Sequence, residues 1–278
     1  MRRRIKKFIS HIWSVIRLPE MTILPGQLAF FFVLSVVPTL TIISYGAALL
    51  NLSSDFISNF LSQAFSPAIA GVIMPTTGGL NLGLKFFIFL CIALFIASNG
   101  ADSIIVTSNT IYDIPNGNYF KRRVKAIIMT FFIVLLFLFI IVVPVFGNKI
   151  VELIKNVNLN EAVTKNIELI FIVLRSPLSW FIMFFFIKII YTMAPNRKVS
   201  SYYVNYGSIF TTVFWTIATS IYSYWITRFA NYNAFYGGLA NLVILMLWIY
   251  ILAYIFVIGM ALNYQQEELA KTANIKME

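Results

Sequence analysis

The chain has 278 residues, of which 60% are hydrophobic and only 11% charged, with a mean hydropathy of +0.85. That is too little polar material to solvate the surface of a soluble domain of this size, which leaves a polytopic membrane protein. The formal net charge of +11 would suggest nucleic acid in a soluble chain, but here the basic residues flank apolar segments, so membrane orientation accounts for them and no nucleic-acid partner is expected.

Windows of about 20 apolar residues, enough to span roughly 30 Å of hydrocarbon, fall at 27–49, 84–106, 126–146, 177–193, 207–227 and 239–262. Each must satisfy its own backbone, so the expected fold is all-α: six transmembrane helices with extra amphipathic helices in a single domain, 1–278.

The opening "MRRRIKKFISHIWSVIRL" has interrupted apolar residues and no small-residue cleavage site, unlike a signal peptide. Ile5, Phe8, Ile9, Ile12, Val15 and Ile16 share one helical face; Lys6, Lys7, Ser10, His11, Ser14 and Arg17 share the other. Residues 1–25 are therefore expected to form a basic amphipathic helix on the anionic headgroups of the inner leaflet, with membrane lipids as partner. A plain topogenic tail is the simpler reading of the same charges. In the first span, Pro38 is expected to kink the helix, with Ser35 and Thr39 available to satisfy the freed backbone groups.

Residues 51–83 read as an outer interfacial helix followed by a turn. The second span turns polar in "ASNGADSIIVTSNTIYD". Ser98, Asp102, Ile105, Asn109 and Tyr112 share one helical face, which Asn99 and Ser103 adjoin. Gly100 invites close approach or local unwinding. An ionised group near the bilayer centre costs about 2.5–3.5 kcal/mol on insertion scales, so Asp102, and Lys188 of the fourth span, should face the interior, water or each other. An Asp102–Lys188 pair is the sharper expectation; Lys188 snorkelling to the headgroups is the plainer one.

Residues 147–175 form a second outer excursion. Ser176 can cap a helix and Pro177 suits a first turn, so the fourth span either starts there or continues a longer helix kinked at Pro177. The tail 264–278 is short and expected to be cytoplasmic. Lys and Arg number six before Gln27, none over 51–83, four over 112–125, three over 147–167, two over 194–206, one near Arg228 and two after Asn263. The alternate loops are favoured, so both termini are expected in the cytoplasm.

Cys91, alone in an apolar run, supports neither a disulfide nor a metal site, and His11 is the one histidine. There is no HExxH, no phosphate-binding Gly-Lys loop and no paired carboxylates at metal spacing, so no enzyme, cofactor or metal is expected.

The runs "GQLAFFFVLSVVPTL", "ASNGADSIIVTSNTIYD", "LRSPLSWF", "YTMAPNRKVS" and "SYWITRFANYNAFYGGLANLVILMLWIYILAYIFVIGMALN", in this order, resemble the YihY/BrkB family of bacterial inner-membrane proteins. The resemblance implies six membrane helices in the bacterial cytoplasmic membrane. Its pattern falls on Ala29, Phe30, Ser35 and Pro38, on Asn109 and Tyr112, on Arg175 and Pro177, on Pro195, Asn196 and Arg197, on Tyr236, Gly237 and Gly238, and on Trp248, Tyr250, Gly259 and Asn263. Many members read Gly-Ala-Glu-Leu-Asn where this chain has Gly259, Met260, Ala261, Leu262 and Asn263, so a mechanism needing that carboxylate is not expected here. Some members are called virulence factors, and an old ribonuclease label finds no ligand set in these residues.

The residues favour a transporter-like protein that moves a lipid-linked or amphiphilic substrate across or between leaflets. Asn99, Asp102 and Asn109 would line a polar seam, Lys188 would meet an anion, and Pro38 and Gly100 would be flexible points. The alternative is a non-catalytic envelope scaffold or assembly partner; a homo-oligomer or an envelope protein would then be its partner.

Overall fold

A computed structural model of the protein describes residues 13–49, 84–135, 161–229 and 238–275. All regular structure among them is helical: a turn at 13–16, then α1 (Glu20–Leu49), α2 (Leu84–Ile111), α3 (119–135), α4 (Glu161–Met193), α5 (Asn205–Phe229) and α6 (Gly238–Ile275). Each apolar window falls on one of these helices, with 136–146 of the third outside the described residues. Two stretches among those described, Leu90–Ile111 and Val243–Thr272, are long and apolar enough to cross a membrane; shorter apolar stretches lie at Glu20–Ser35 and Pro177–Met193. Every helix turns large apolar side chains outward: Phe30, Ile92, Phe131, Phe181, Ile221 and Leu247 are all exposed. Water does not tolerate such a surface and lipid does.

Prolines interrupt none of these helices. α1 runs through Pro25 and Pro38, and α4 through Pro177. The helix that carries the fourth apolar window therefore does not start at Pro177; it begins at Glu161. In an apolar medium, one missing backbone hydrogen bond costs less than a helix end that exposes several.

The N-terminal expectation is corrected in two ways. The chain breaks at 17–19 and α1 starts at Glu20, where an acid suits the positive end of the helix dipole, so 20–25 belong to the first long helix. Val15 is fully buried and Ile16 packs against the core, so the described end of the amphipathic face turns into the bundle and not toward lipid. Residues 1–12, the segment at 51–83 expected to be outer, and Tyr236 and Gly237 lie outside the described residues. The C-terminal segment continues α6 as helix through Ile275.

α6 packs against α1 and α5, α2 lies along α1, and α4 lies along α5. Leu28, Ile104, Ile105, Ile187, Tyr191, Phe256 and Met260 fill the core between them. The closest approaches use small residues, as in membrane bundles generally. Gly100 stays helical and buried, and its N–H reaches Ser35 Oγ at 3.0 Å. A Cβ there would stand 3.0 Å from that oxygen and 3.1 Å from Phe32 Cδ1. Gly100 is thus a contact residue without local unwinding. Ser35 donates to Phe31 O at 2.6 Å, so its hydroxyl is committed one turn before Pro38 and to α2, and does not serve the carbonyl freed by the proline.

Candidate functional site

The polar face of α2 meets the start of α3. Between them the chain reverses through Asp113 (φ 52°) and Gly117 (φ 66°). Asn118 then caps α3: its Oδ1 accepts the Phe120 N–H at 2.8 Å. This tight return lays residues 121–125 back along α2. Arg122 Nε donates to Asp102 Oδ1 at 2.7 Å, in a pair whose side chains are 17% and 19% exposed. Arg123 Nη1 donates to Asn99 Oδ1 at 2.9 Å, and Nη2 to Phe95 O at 2.7 Å.

The next turn of α2 reaches the connection between α4 and α5. Buried Asn109 accepts the Asn196 N–H at 2.9 Å and donates to Asn116 Oδ1 at 3.1 Å, while Asn196 Nδ2 donates to Asn116 O at 3.1 Å. Lys125 Nζ donates to the carbonyls of Ala194 and Pro195, both at 2.8 Å, and to Asn196 Oδ1 at 3.0 Å. A cation there suits the orphan carbonyls and negative dipole at the end of α4. Arg197 Nη2 reaches Glu267 Oε2 of α6 at 2.9 Å, with its guanidinium carbon 5.1 Å from the Tyr112 ring centroid, and Tyr112 meets Tyr264 edge-on at 5.3 Å. Burial pushes the Tyr112 phenol above its ordinary range, Glu267 adds to this, and Arg197 opposes it. One polar network thus ties α2, α3, the 194–204 connection and α6 together at one end of the bundle.

Some buried polar atoms on these elements have no hydrogen-bond partner among the described residues. They include the hydroxyls of Ser103, Thr107, Ser108 and Tyr112 along α2, Nε of Arg123 and Arg197, and Asn263 Nδ2. No three of His, Cys, Asp and Glu come together at metal-holding distance among the described residues.

Of the residues singled out from sequence, Asn99, Asp102, Asn109, Tyr112 and Pro195 meet in this network. Lys188 does not: Asp102 is held by Arg122, and the half-buried Lys188 places Nζ 6.0 Å from the Phe184 ring centroid. The Asp102–Lys188 expectation fails because Arg122 arrives on a short local return, with little loop-closure cost. Asn263 and Gly259 instead mark the α5–α6 crossing, where Gly207 N–H donates to Asn263 Oδ1 at 2.7 Å. Trp248 stacks on Tyr222 at 4.6 Å. Arg175 lies within α4, its side chain outside those described. Arg122, Arg123, Lys125, Asn116 and Glu267 were not singled out from sequence, the basic ones counting only as orientation charges. The asparagines in "PNGN" and "APNR" were the available signal.

Two expected results follow from these contacts. Asp102→Asn should lower stability in detergent by about 1–3 kcal/mol by leaving the Arg122 cation against a neutral amide in place of a carboxylate, and adding Arg122→Gln should cost less than it does alone. An Asp102→Lys/Lys188→Asp swap should give no rescue; restored stability in that swap would count against the Arg122 pairing. Burial holds Lys125 at about 8 against its ordinary 10.5. The unfolded chain then binds the extra proton between those values, so this group's contribution to stability is constant below about pH 8 and rises toward pH 10.5. The difference in thermal midpoint between wild type and Lys125→Met should therefore grow with pH over that window, and a flat difference would contradict it.

A family model described as virulence factor BrkB matches residues 12–278. A Bacillus subtilis protein named putative ribonuclease-like protein YfkH is 29% identical over 263 residues, covering 92% of this chain and 94% of the relative. A UPF0761 membrane protein of Idiomarina loihiensis is 33% identical over 99 residues, 34% of this chain and 35% of its own length. Another, from Haemophilus influenzae, is 31% identical over 93 residues, 34% and 33% respectively. No solved structure matches.

Proposed function

The chain belongs to the virulence factor BrkB family, and we propose that it is a multi-pass, transporter-like protein of the bacterial inner membrane that moves a lipid-linked or amphiphilic substrate between leaflets. On this reading all six helices cross the membrane, with both termini and the polar network at the cytoplasmic face. The observation that carries it is the run of buried hydroxyls without partners along α2: Ser103, Thr107, Ser108 and Tyr112. Buried hydroxyls without acceptors cost free energy in an apolar bundle, and a path for a polar headgroup needs such groups. Asn99 and Asp102 hold Arg123 and Arg122 and shape the inner mouth. Lys188, which has no ion pair among the described residues, is the cation that the apolar window of α4 offers to a substrate anion. The ribonuclease-like name of the Bacillus relative is not carried over, because the proposal gives no residue a catalytic role.

The test is reconstitution in liposomes with a panel of fluorescent lipids and amphiphiles. Accelerated exchange between leaflets that falls in Ser108→Leu supports the reading; no acceleration across the panel sinks it. A second reading, an envelope scaffold, is favoured by the density of links at the network end, which make a firm platform. It requires Asp102→Asn to leave function in cells intact, changes at exposed Phe120 or Tyr202 to abolish it, and a partner to co-purify.

A further inference from the structure

At the start of α3, two arginines share one carboxylate. Arg122 takes Asp102. Arg123, only 7% exposed, has an amide oxygen of Asn99 and a backbone carbonyl of Phe95 as its partners, and its buried Nε–H meets no acceptor among the described residues. Phe95 O is already shared, since Ser98 Oγ donates to it at 2.7 Å. The local balance is two positive charges against one negative, with exposed Lys121 beside them. A guanidinium kept this far from water without a counter-anion is costly unless an anion comes to it.

The surroundings indicate from which side. The Arg123 guanidinium carbon lies 3.8 Å from the Phe95 ring centroid, and Phe95 is 49% exposed on the apolar outer surface. The Arg122 guanidinium lies 5.7 Å from the Tyr119 ring centroid, and Tyr119 and Phe120 are also exposed. Both cations therefore sit just behind outward-facing rings, at the helix end where aromatic and basic side chains mark a membrane–water interface.

We propose that the junction of α2 with the start of α3 binds the phosphate of an anionic phospholipid headgroup in the adjoining leaflet, through the guanidiniums of Arg123 and Arg122. Guanidinium presents parallel N–H donors that match phosphate oxygens, and an anionic inner leaflet supplies the ligand at high local concentration. Asp102 fixes Arg122 and limits the surplus charge, which favours a singly charged phosphodiester over a dianion. The site rests on α3 starting at the cytoplasmic surface, and it stands whether or not the protein moves lipid.

The test is native mass spectrometry of the full chain, delipidated in detergent and titrated with phosphatidylglycerol or phosphatidylcholine. Wild type should prefer phosphatidylglycerol about ten-fold, since phosphatidylcholine offers the same phosphodiester but brings a further cation beside the two guanidiniums. Arg123→Gln should lose that preference and Arg123→Lys part of it, whereas Lys198→Gln, at an exposed position in the 194–204 connection, should keep it. An Arg123→Gln protein of wild-type thermal midpoint that retains the preference would overturn the site. So would a wild type without preference, whatever the variants do. Soluble glycerophosphoglycerol that binds as tightly as the lipid would overturn the lipid assignment in favour of a free phosphate ester. Transport in liposomes that persists without Arg123 would leave the functional reading standing and separate the two ideas.

Discussion

Gly207→Ala is expected to destabilise the bundle more than a methyl group added at Gly26, Gly100, Gly117 or Gly259. A Cβ at Gly207 falls onto the carbonyl oxygen of Gly259 and within 2.5 and 2.6 Å of the two side-chain termini of Asn263. The carbonyl is backbone and cannot rotate away, so α5 and α6 must part. The 2.7 Å hydrogen bond from Gly207 N–H to Asn263 Oδ1 would go with the contact. Overpacking costs about 1–3 kcal/mol and the hydrogen bond about 1, whereas the better helix propensity of alanine returns at most about 1. The clash wins, for a net loss of about 1–3 kcal/mol, read as a lower thermal or dodecyl-sulfate unfolding midpoint. Gly259→Ala meets Thr211 Oγ1 and Tyr191 OH, side-chain atoms that can yield in part, with the nearest backbone atom, Gly207 O, at 3.0 Å, so its loss should be smaller. Gly26→Ala, whose nearest neighbour is Tyr250 Cε2 at 4.0 Å, should be neutral or slightly stabilising. A Gly207→Ala protein as stable as wild type would show that α5 and α6 do not cross this closely.

Asn109→Leu is the second large effect. The branched shape is kept, though Leu is the bulkier residue, and at this half-buried junction the Asn196 N–H loses its acceptor and Asn116 its donor. Water reaches the exposed Asn196 and the half-buried Asn116, so overpacking and the two lost bonds together cost about 1–3 kcal/mol. Both connections that Asn109 joins, 112–118 and 194–204, should become more open to proteolysis together, because the same amide anchors both. Faster cutting in one alone would mean that the network is two separate pieces.

The helices were legible in the sequence because apolar length is a one-dimensional signal. The windows at 84–106 and 239–262 fall inside α2 and α6, and the polar face of α2 was visible from spacing alone. Asn109 and Tyr112 were marked by that spacing and by the family pattern, and both sit in the network. What spacing could not supply was the partners. Arg122, Arg123 and Lys125 looked like orientation charges because their contacts depend on the reversal through Asp113 and Gly117, a backbone conformation that composition does not encode. Lys188 and Asp102 share a depth by counting, but depth says nothing about which faces meet. Gly207 opens its apolar window and drew no notice, since its importance lies in the carbonyl it faces on another helix.

The two lysine and arginine contacts of α3 differ in how much chain must exist before they can form. Asp102 and Arg122 are 20 residues apart, whereas Lys125 waits for carbonyls 69 and 70 residues further on. During synthesis the acid of α2 can therefore be neutralised as soon as the start of α3 emerges, lowering the charge that the nascent hairpin carries into the bilayer. The amine of Lys125 gains its acceptors only after α4 is complete. A chain halted between these points would hold an α2–α3 hairpin with the Asp102–Arg122 pair made and the Lys125 amine still without its carbonyls, so the lysine contact records that the fourth helix has arrived.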